Sequence, residues 1–537
     1  MFFFFMCFNS SMREIVRQAL AEIVPEGIDS NVTVPDHEAH GEYSTNVAFA
    51  LAKREGGSPE KRAEELAAKL RERGTLFREV RVEKPGHLNF WLAPDLLRAE
   101  VASILAEGVR YGRRKAAPPK KIQVEFISAN PTGPLTLANG RGGFLGDVIA
   151  NILEAQGHEV EREYYVNDTG NQVVTLGKSI LAAAGLIPQE ETFYKGDYLK
   201  EWALAHRSEA TFYKDDPHAL GRIAARDFLH VTKSVIEGKA NILFNRYTSE
   251  FDDIHAKGYA EKVLALFRLK GTVYEKDGAT WLRTTEFGDD KDRVLKTKDG
   301  VPTYFLADAG HYLETVERGF TTKVNILGPD HYGYVARIQA AAKLVGLADS
   351  TVIITQAVRL VEGDAEVKMS KRKGTFITFN ELLASVPPDA ARFFFLMISA
   401  DSHLDFDLSL AKERSMKNPV YYVEYAYVRA TNILKNAGAG PAAPDLSPLS
   451  TPDDLRLIRT LARFPEALED TAADYRAHRL TRYAMDLART FHDWYEKERV
   501  VGEVPAVFAA RRALVLATHS VLGNLFSLIG ISAPEEM

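Results

Sequence analysis

The chain has 537 residues, 46% of them hydrophobic and 26% charged, which is enough for about three domains, each with its own core. Its formal net charge of −6 excludes a uniformly basic nucleic-acid binder but not local phosphate contacts, which depend on clusters rather than totals. A single cysteine, Cys7, excludes an intrachain disulfide and a cysteine-built zinc site, and fits a reducing cytoplasm. The opening MFFFFMCFNSS is apolar but too short to span a bilayer, and it lacks the basic start and small-residue cleavage site of a signal peptide. No membrane is expected. Met12 is an alternative start to Met1, because helical periodicity begins there, with Ile15, Val16, Ala19, Leu20 and Ile23 on one face.

Residues 12–110 mix helix and strand in an α+β unit, where Ser58 and Pro59 open a helix that Ala63, Leu66, Ala67 and Leu70 continue. A basic run follows: Arg110, Arg113, Arg114, Lys115, Lys120 and Lys121 around Pro118 and Pro119. It reads equally well as a solvated interdomain linker or as an RNA contact. From Ile122 the pattern becomes strand, turn, helix, strand. Ile122, Val124 and Phe126 alternate, and Asn130, Pro131, Gly133 and Pro134 break the run. From Asn139 a helical face carries Phe144, Leu145, Val148, Ile149, Ile152 and Leu153 to a stop at Gly157, and residues 160–166 form the next strand. These elements make half of a doubly wound sheet, whose helix N-terminus offers free N–H groups and a positive dipole to an anion.

A long interruption separates that strand from another near Thr322, and an inserted subdomain at about residues 170–300 fits the gap. After the strand comes GPDHYGY, then a helix with Val335, Ile338, Ala341, Ala342 and Val345 inward and Gly346 at its end. A further apolar run, residues 352–360, leads into EGDAEVKMSKRKGTF and closes the second half-sheet. Beyond Asp389 nearly everything is helical, with Leu480, Tyr483, Leu487, Phe491 and Trp494 at helix spacing. The predicted fold class is α/β: a Rossmann-type doubly wound domain over residues 117–390 with that insertion, an N-terminal α+β domain, and a C-terminal all-α bundle over 391–537.

Several constellations carry chemistry. Lys368, Ser370, Lys371, Arg372 and Lys373 before Gly374 place mobile cations on a hinge, suited to a polyphosphate or simply to solvent. Gly328 and Gly333 permit close backbone approach beside His331, at the carboxyl end of a strand where open α/β sheets bind ligands. Tyr304 and Asp308 lie four apart and therefore on one helical face.

ANPTGPL followed by GRGGFLGD resembles the signature region of class I arginyl-tRNA synthetases, and KMSK the first four residues of the class I KMSKS loop. GPDHYGY resembles the family's G-A-D-H-H-G-Y segment, with Pro329 and Tyr332 departing from it. HGEYSTNVAFALAK and KPGHLNFWL resemble the family's additional N-terminal domain, which touches the tRNA elbow; the segment from Asp401 resembles its catalytic-to-helical junction. The resemblance runs from about Met12 to Met537. It implies an arginine–tRNA ligase that forms arginyl-adenylate from L-arginine and ATP, with Mg2+, and passes the arginyl group to tRNA(Arg). It also implies tRNA bound before activation, a cytoplasmic monomer, and no structural zinc or other protein-held metal.

By that resemblance Lys371, with Lys368, acts on the β and γ phosphates, joined by Asn139 and Thr136. Pro131, Thr132, Gly133, Gly140, Gly328, His331, Met369 and Ser370 bind ATP. Tyr304, Asp308 and Glu250 read the guanidinium, whose planar five-donor fork calls for carboxylates. Glu125 and Asn130 take the α-amino and α-carboxylate groups. Asn89 and Phe90 are either elbow contacts or ordinary strand residues; Tyr421 and Tyr425 either stack on anticodon bases or pack in the core, and Met537 docks near the anticodon.

The family's H-x-G-H slot here reads Thr136, Leu137, Ala138, Asn139. Asn139 can still donate through its amide, whereas Thr136 offers a short hydroxyl and Ala138 adds a methyl near adenine. Loss of one such transition-state contact costs about 2.7–4 kcal/mol. The alternative function is accordingly a catalytically weak paralogue that binds tRNA or regulates without charging it. Against it stand the lysine loop, the arginine-pocket candidates and both tRNA-binding domains. Another class I synthetase is disfavoured by the N-terminal domain and by the lack of a zinc-ligand cluster.

Overall fold

In the computed structural model, which describes residues 11–72, 75–363, 365–366 and 377–537, the chain divides into two units. One holds the chain up to residue 114 with 419–475 and 479–537; the other holds 115–418 with 476–478. The first opens with α1, Met12–Ala21, capped by the Ser11 hydroxyl, and buries Met12, Ile15, Val16, Ala19 and Leu20 along one face. Strands β1 (Val32–Thr33), β2 (Tyr43–Thr45), β3 (Phe77–Glu83) and β4 (His87–Leu92) form an antiparallel sheet in the order β1-β2-β4-β3. Helices α2 (Val47–Glu55), α3 (Pro59–Arg71) and α4 (Pro94–Glu107) accompany it; Ser58 caps α3 with Pro59 in its first turn, as the sequence indicates.

The second unit starts with β5 (Lys121–Glu125), α5 (Leu137–Ala155) and β6 (Glu159–Val166). Helices α6 (Asn171–Ala183), α7 (Asp197–Ala205), α8 (Arg207–Phe212) and α9 (Pro217–Gly238) then bury their own core around Leu176, Ile180, Trp202, Leu220 and Ala224. The predicted insertion is interrupted by β7 (Arg246–Ser249), which pairs in parallel with β6 and so belongs to the main sheet. After α10 (Tyr259–Leu269), strands β8 (Val273–Lys276), β9 (Ala279–Leu282) and β10 (Arg293–Lys296) make a small antiparallel sheet. Helix α11 (Tyr304–Glu317) leads to β11 (Thr322–Leu327), α12 (Val335–Val345) and β12 (Asp349–Ile354).

The main sheet has the order β12-β11-β5-β6-β7, all parallel. The chain leaves β5 toward β6 and later returns to β11 on its other side, so the order reverses between β5 and β11. Ligands of doubly wound sheets bind at the carboxyl ends beside that reversal. The apolar run at 352–360 is not one strand: it breaks between β12 and β13 (Val358–Glu362). β13 pairs instead with β14 (Ala365–Glu366) and with β15 (Leu404–Asp407) in a separate sheet. Between them come α13 (Phe379–Ser385) and α14 (Pro388–Leu396), with α15 (Leu408–Lys412) after β15. The unit therefore extends past the expected boundary at 390, because β13 needs β15 as its parallel neighbour.

Helices α16 (Pro419–Ala437), α17 (Pro452–Ala462), α18 (Phe464–Asp474), α19 (His478–Lys497) and α20 (Pro505–Ile529) complete the first unit. Leu480, Tyr483, Leu487, Phe491 and Trp494 are all buried on α19. α20 has the length and hydropathy of a membrane span, yet its apolar residues, including Leu514, Val521, Leu525 and Phe526, are buried in the bundle.

Candidate active site

The turn after β5 is built against backbone preference. Ile127 and Ser128 sit at φ +64° and +37°, a left-handed conformation that costs a β-branched residue such as Ile127 on the order of 1–3 kcal/mol. Its surroundings hold it there: the Ser128 hydroxyl accepts the Tyr165 N–H at 3.0 Å, the Tyr164 hydroxyl donates to the Ala129 carbonyl at 2.9 Å, and Tyr198 donates to the Thr132 carbonyl at 3.0 Å. Asn130 is exposed at the tip, Pro131 is buried, and Thr132 and Gly133 are half-buried.

Thr136 then caps α5. Its backbone N–H and its hydroxyl both donate to Asn139 Oδ1, at 2.9 and 2.8 Å, while its Oγ1 accepts the Asn139 N–H at 3.4 Å. Two donors at one atom fix the amide as Oδ1 inward, and Nδ2 is the group left to donate. Thr136 is thus corrected from a phosphate ligand to the residue that orients Asn139. Gly140 is corrected too: it is buried, and a Cβ there would lie 2.3 Å from the Phe379 ring, so packing rather than nucleotide approach demands glycine. A Cβ on Gly328 would meet open space, leaving that backbone free for a ligand. His331, in the single turn Pro329–Tyr334 after β11, is exposed. Arg141, which the sequence reading passed over, is buried and donates to the carbonyls of Gln356, Ser399 and Ser402, anchoring α5 to the chain near β13.

Three carboxylates face one another beside the carboxyl end of β5. Glu125 ends that strand, Glu250 opens the turn Glu250–His255 after β7, and Asp308 lies one turn into α11. Burial and then Glu250 push the Asp308 carboxyl up to about 7, with Glu125 adding and His311 and Arg337 opposing. Burial and the same three acids hold the Tyr165 hydroxyl protonated. An excess of carboxylate this large in a low-dielectric site is relieved by a cation, and a guanidinium matches paired carboxylates best. Tyr304, the first residue of α11, is largely exposed, and its hydroxyl lies 3.3 Å from where a Cβ on Gly170 would sit.

Behind these acids lies a buried polar cluster. Lys323, on β11, has its ammonium 2.9 Å from Glu125, 3.2 Å from Glu163 and 2.5 Å from Gln123. Glu125, Glu163 and His311 bring ligand atoms within 4.8 Å of one another, a spacing that would suit a metal. The ammonium already supplies the positive charge there, so the donor set does not fit a resident ion.

Comparison with known proteins agrees along the whole length. Residues 10–92 match the arginyl tRNA synthetase N terminal domain, residues 100–392 the class I (R) tRNA synthetase catalytic domain, and residues 423–537 the DALR anticodon binding domain. An arginine–tRNA ligase of Syntrophotalea carbinolica is 40% identical over 557 aligned residues, covering 98% of this chain and 100% of that protein. One of Carboxydothermus hydrogenoformans is 40% identical, covering 94% and 93%. The chain belongs to the arginyl-tRNA synthetase family. The Thermus thermophilus arginyl-tRNA synthetase structure shares its fold, with a TM-score of 0.74 at 23% identity over 98% of this chain and 99% of that one.

Other residues expected of a synthetase divide sharply. Lys368, Met369, Ser370 and Lys371 lie outside the described residues. Phe90 is fully buried against Phe77, at 5.3 Å between ring centres, and Asn89 is buried with its amide donating to Glu83 at 2.8 Å. Both are corrected from tRNA contacts to core residues of the N-terminal sheet. Tyr421 and Tyr425 are half-buried on α16 with parallel rings 6.4 Å apart, and Arg429 lies 4.8 Å over Tyr425. Met537 is exposed. Of the basic run, Arg114 pairs with Glu469 and Lys121 donates to the Arg318 carbonyl at 2.8 Å. Sequence reasoning missed Tyr165, His311 and Lys323. For Lys323 a signal existed: Lys323 and Asn325 share one face of a strand that should be wholly apolar.

Proposed function

We propose that the carboxylate pocket at the β5–β11 reversal is where this arginine–tRNA ligase recognises its amino acid. The chain catalyses ATP-dependent attachment of L-arginine to tRNA through an arginyl-adenylate. Asp308 and Glu250 take the guanidinium in paired hydrogen bonds, with Tyr304 at the rim. Glu125 takes the α-amino group and Asn130 the α-carboxylate. The observation that carries this reading is the gathering of Asp308, Glu250 and Glu125 in one largely buried space, where an entering cation relieves the repulsion that Lys323, His255 and His311 leave.

ATP lies across the turn, with Thr132, Gly133 and Gly328 as close-approach backbone, His331 at the adenosine end, and Asn139 Nδ2 donating to a phosphate at the N-terminus of α5. Lys371 and Lys368 neutralise the β and γ phosphates as pyrophosphate leaves. Mg2+ arrives as the counter-ion of ATP, held mainly by phosphate oxygens. tRNA(Arg) is the acceptor, with Tyr421, Tyr425 and Met537 toward its anticodon, and the enzyme works as a cytoplasmic monomer.

Arginine-dependent exchange between pyrophosphate and ATP, measured with and without tRNA(Arg), tests the reading. Exchange with arginine and not with lysine is expected. Exchange absent in both conditions would overturn it in favour of a non-charging paralogue.

A further inference from the structure

Lys323 has no relative exposure, although it sits on the central strand β11. An ammonium buried there costs several kcal/mol unless fully partnered, and four groups besides Glu125 surround it. Its Nζ lies 3.2 Å from Glu163 Oε2, 2.5 Å from Gln123 Oε1, 3.3 Å from His311 Nε2 and 3.5 Å from Thr315 Oγ1. Glu125 is the member of this cluster that also faces the carboxylate pocket. Its Oε2 receives both the Lys323 ammonium, at 2.9 Å, and the Asn325 amide, at 2.8 Å. Among the described residues its Oε1 receives only the Ser128 hydroxyl, at 3.2 Å, from the left-handed turn.

We propose that Lys323 is a positioning residue for arginine binding: by holding Glu125 Oε2 it aims Oε1 at the substrate's α-amino group and supplies that carboxylate's counter-charge. The proposal rests on the reading of Glu125 as the α-amino ligand. The lysine never touches arginine; it acts through the direction and the charge of one side chain. Two donors on one oxygen leave a carboxylate little rotational freedom, and the open lone pairs then point one way.

Charged and polar groups from several elements surround the pair. β5 supplies Gln123 and Glu125; β6 supplies Glu163 and Tyr165; β7 supplies Arg246, 3.8 Å from Glu163, and Thr248, which donates to it. Helix α11 contributes Asp308, His311, Tyr312, Glu314 and Thr315; Arg318 lies 3.7 Å from Glu163; Glu250, 3.2 Å from His255, completes the acids, and Arg337 on α12 acts on Asp308. Glu163 therefore has four cationic or polar partners besides Lys323, namely Arg246, Thr248, Arg318 and His311 at 3.0 Å, whereas Glu125 has, among the described residues, Lys323 as its close ammonium and His311 only at 3.9 Å. Removing the lysine should disturb Glu125 most.

Exchange kinetics and titration calorimetry with arginine on the full-length enzyme test this. Lys323→Met should raise KM for arginine at least about tenfold, with KM for ATP changed by less than about twofold. The acid limb of kcat/KM for arginine should move up by about one pH unit, since the pocket acids lose a buried counter-charge. Glu163→Gln leaves the whole ammonium to Glu125, so its acid limb should move down. The double variant, with one charge of each sign removed, should recover part of the Lys323→Met loss. Equal rises in both KM values, or an unmoved acid limb, would overturn the proposal. Should Lys323→Met fail to fold, Glu163→Gln decides alone, and no downward shift overturns it. Glu125→Gln separates the two levels: if it leaves KM for arginine unchanged, the reading of the pocket fails; if it raises KM while Lys323→Met does not, only the role of Lys323 fails.

Discussion

Asp308 binds a guanidinium only after releasing its proton, and burial beside Glu250 holds that proton on up to about pH 7. Arginine affinity should therefore climb as pH rises toward about 7 and level off above it, which calorimetric titration across roughly pH 5.5 to 8.5 would show. The same shift has a stability side. A carboxyl whose folded pKa is raised keeps a proton that the unfolded chain has already lost, so stability declines as pH rises from the ordinary aspartate value of 3.8 to about 7. Asp308→Asn should consequently raise the unfolding temperature at pH 8 and leave it nearly unchanged at pH 4, while arginine-dependent exchange falls about 100-fold or more. A lower unfolding temperature at pH 8 would mean that the carboxylate is already satisfied. Since Thr136 acts by orienting the Asn139 amide, Thr136→Ala and Asn139→Ala should each slow exchange, and the double variant should be no slower than the worse single one. Thr136→Ser keeps the hydroxyl and should stay close to the parent rate.

At the scale of elements, the glycines around the turn separate into two kinds with opposite expected behaviour. Gly140→Ala drives a methyl into the Phe379 ring and should cost about 1–3 kcal/mol in denaturant unfolding, because α5 and α13 must part. Gly328→Ala meets no protein atom, so stability should hold while KM for ATP rises if nucleotide lies against that backbone. Equal effects of the two changes on stability would contradict this division. The sequence alone could not sort them, since each is a glycine beside a helix start. What was legible was periodicity: the switch from alternation at Ile122, Val124 and Phe126 to the helical face at Phe144, Val148 and Ile152 places β5 and α5 closely. The strand β7 was illegible because RYTS is four residues long and half polar, and only pairing with β6 makes it a strand. That Tyr304 and Asp308 share one face of a helix was legible from their spacing. Lys323 left only the signal of a polar residue on a central strand; its partners depend on burial between β5 and α11, which one strand's sequence does not carry.

On the scale of the whole molecule, the N-terminal sheet and the C-terminal helices behave as one body, far apart in sequence yet sharing a buried polar seam. Glu466 Oε1 accepts the Tyr43 hydroxyl at 2.6 Å and the Arg13 N–H at 2.9 Å, while Arg13 pairs with Glu469 and Asp470 at 2.9 and 2.7 Å. Arg459 reaches Glu42 at 2.8 Å, and Glu42 in turn accepts the Leu92 N–H. Burial pushes the Glu466 carboxyl up, against the Tyr43 hydroxyl, the Arg13 charge and the Arg13 backbone N–H, which favour its ionised form. Without Arg13, Asp470 is two-fifths exposed to water and Glu469 keeps Arg114, so the cost falls below that of a fully buried pair. Arg13→Ala should therefore lower the stability of this unit by about 1–2 kcal/mol in urea, and should make the N-terminal sheet and the helical bundle lose protection from hydrogen exchange together. Arginine affinity by calorimetry should not change, since the pocket acids and Lys323 all lie in the other unit. Independent exchange behaviour of residues 11–92 and 419–537 in the parent protein would refute the shared seam, and a parallel loss of arginine affinity would show that it reaches the pocket.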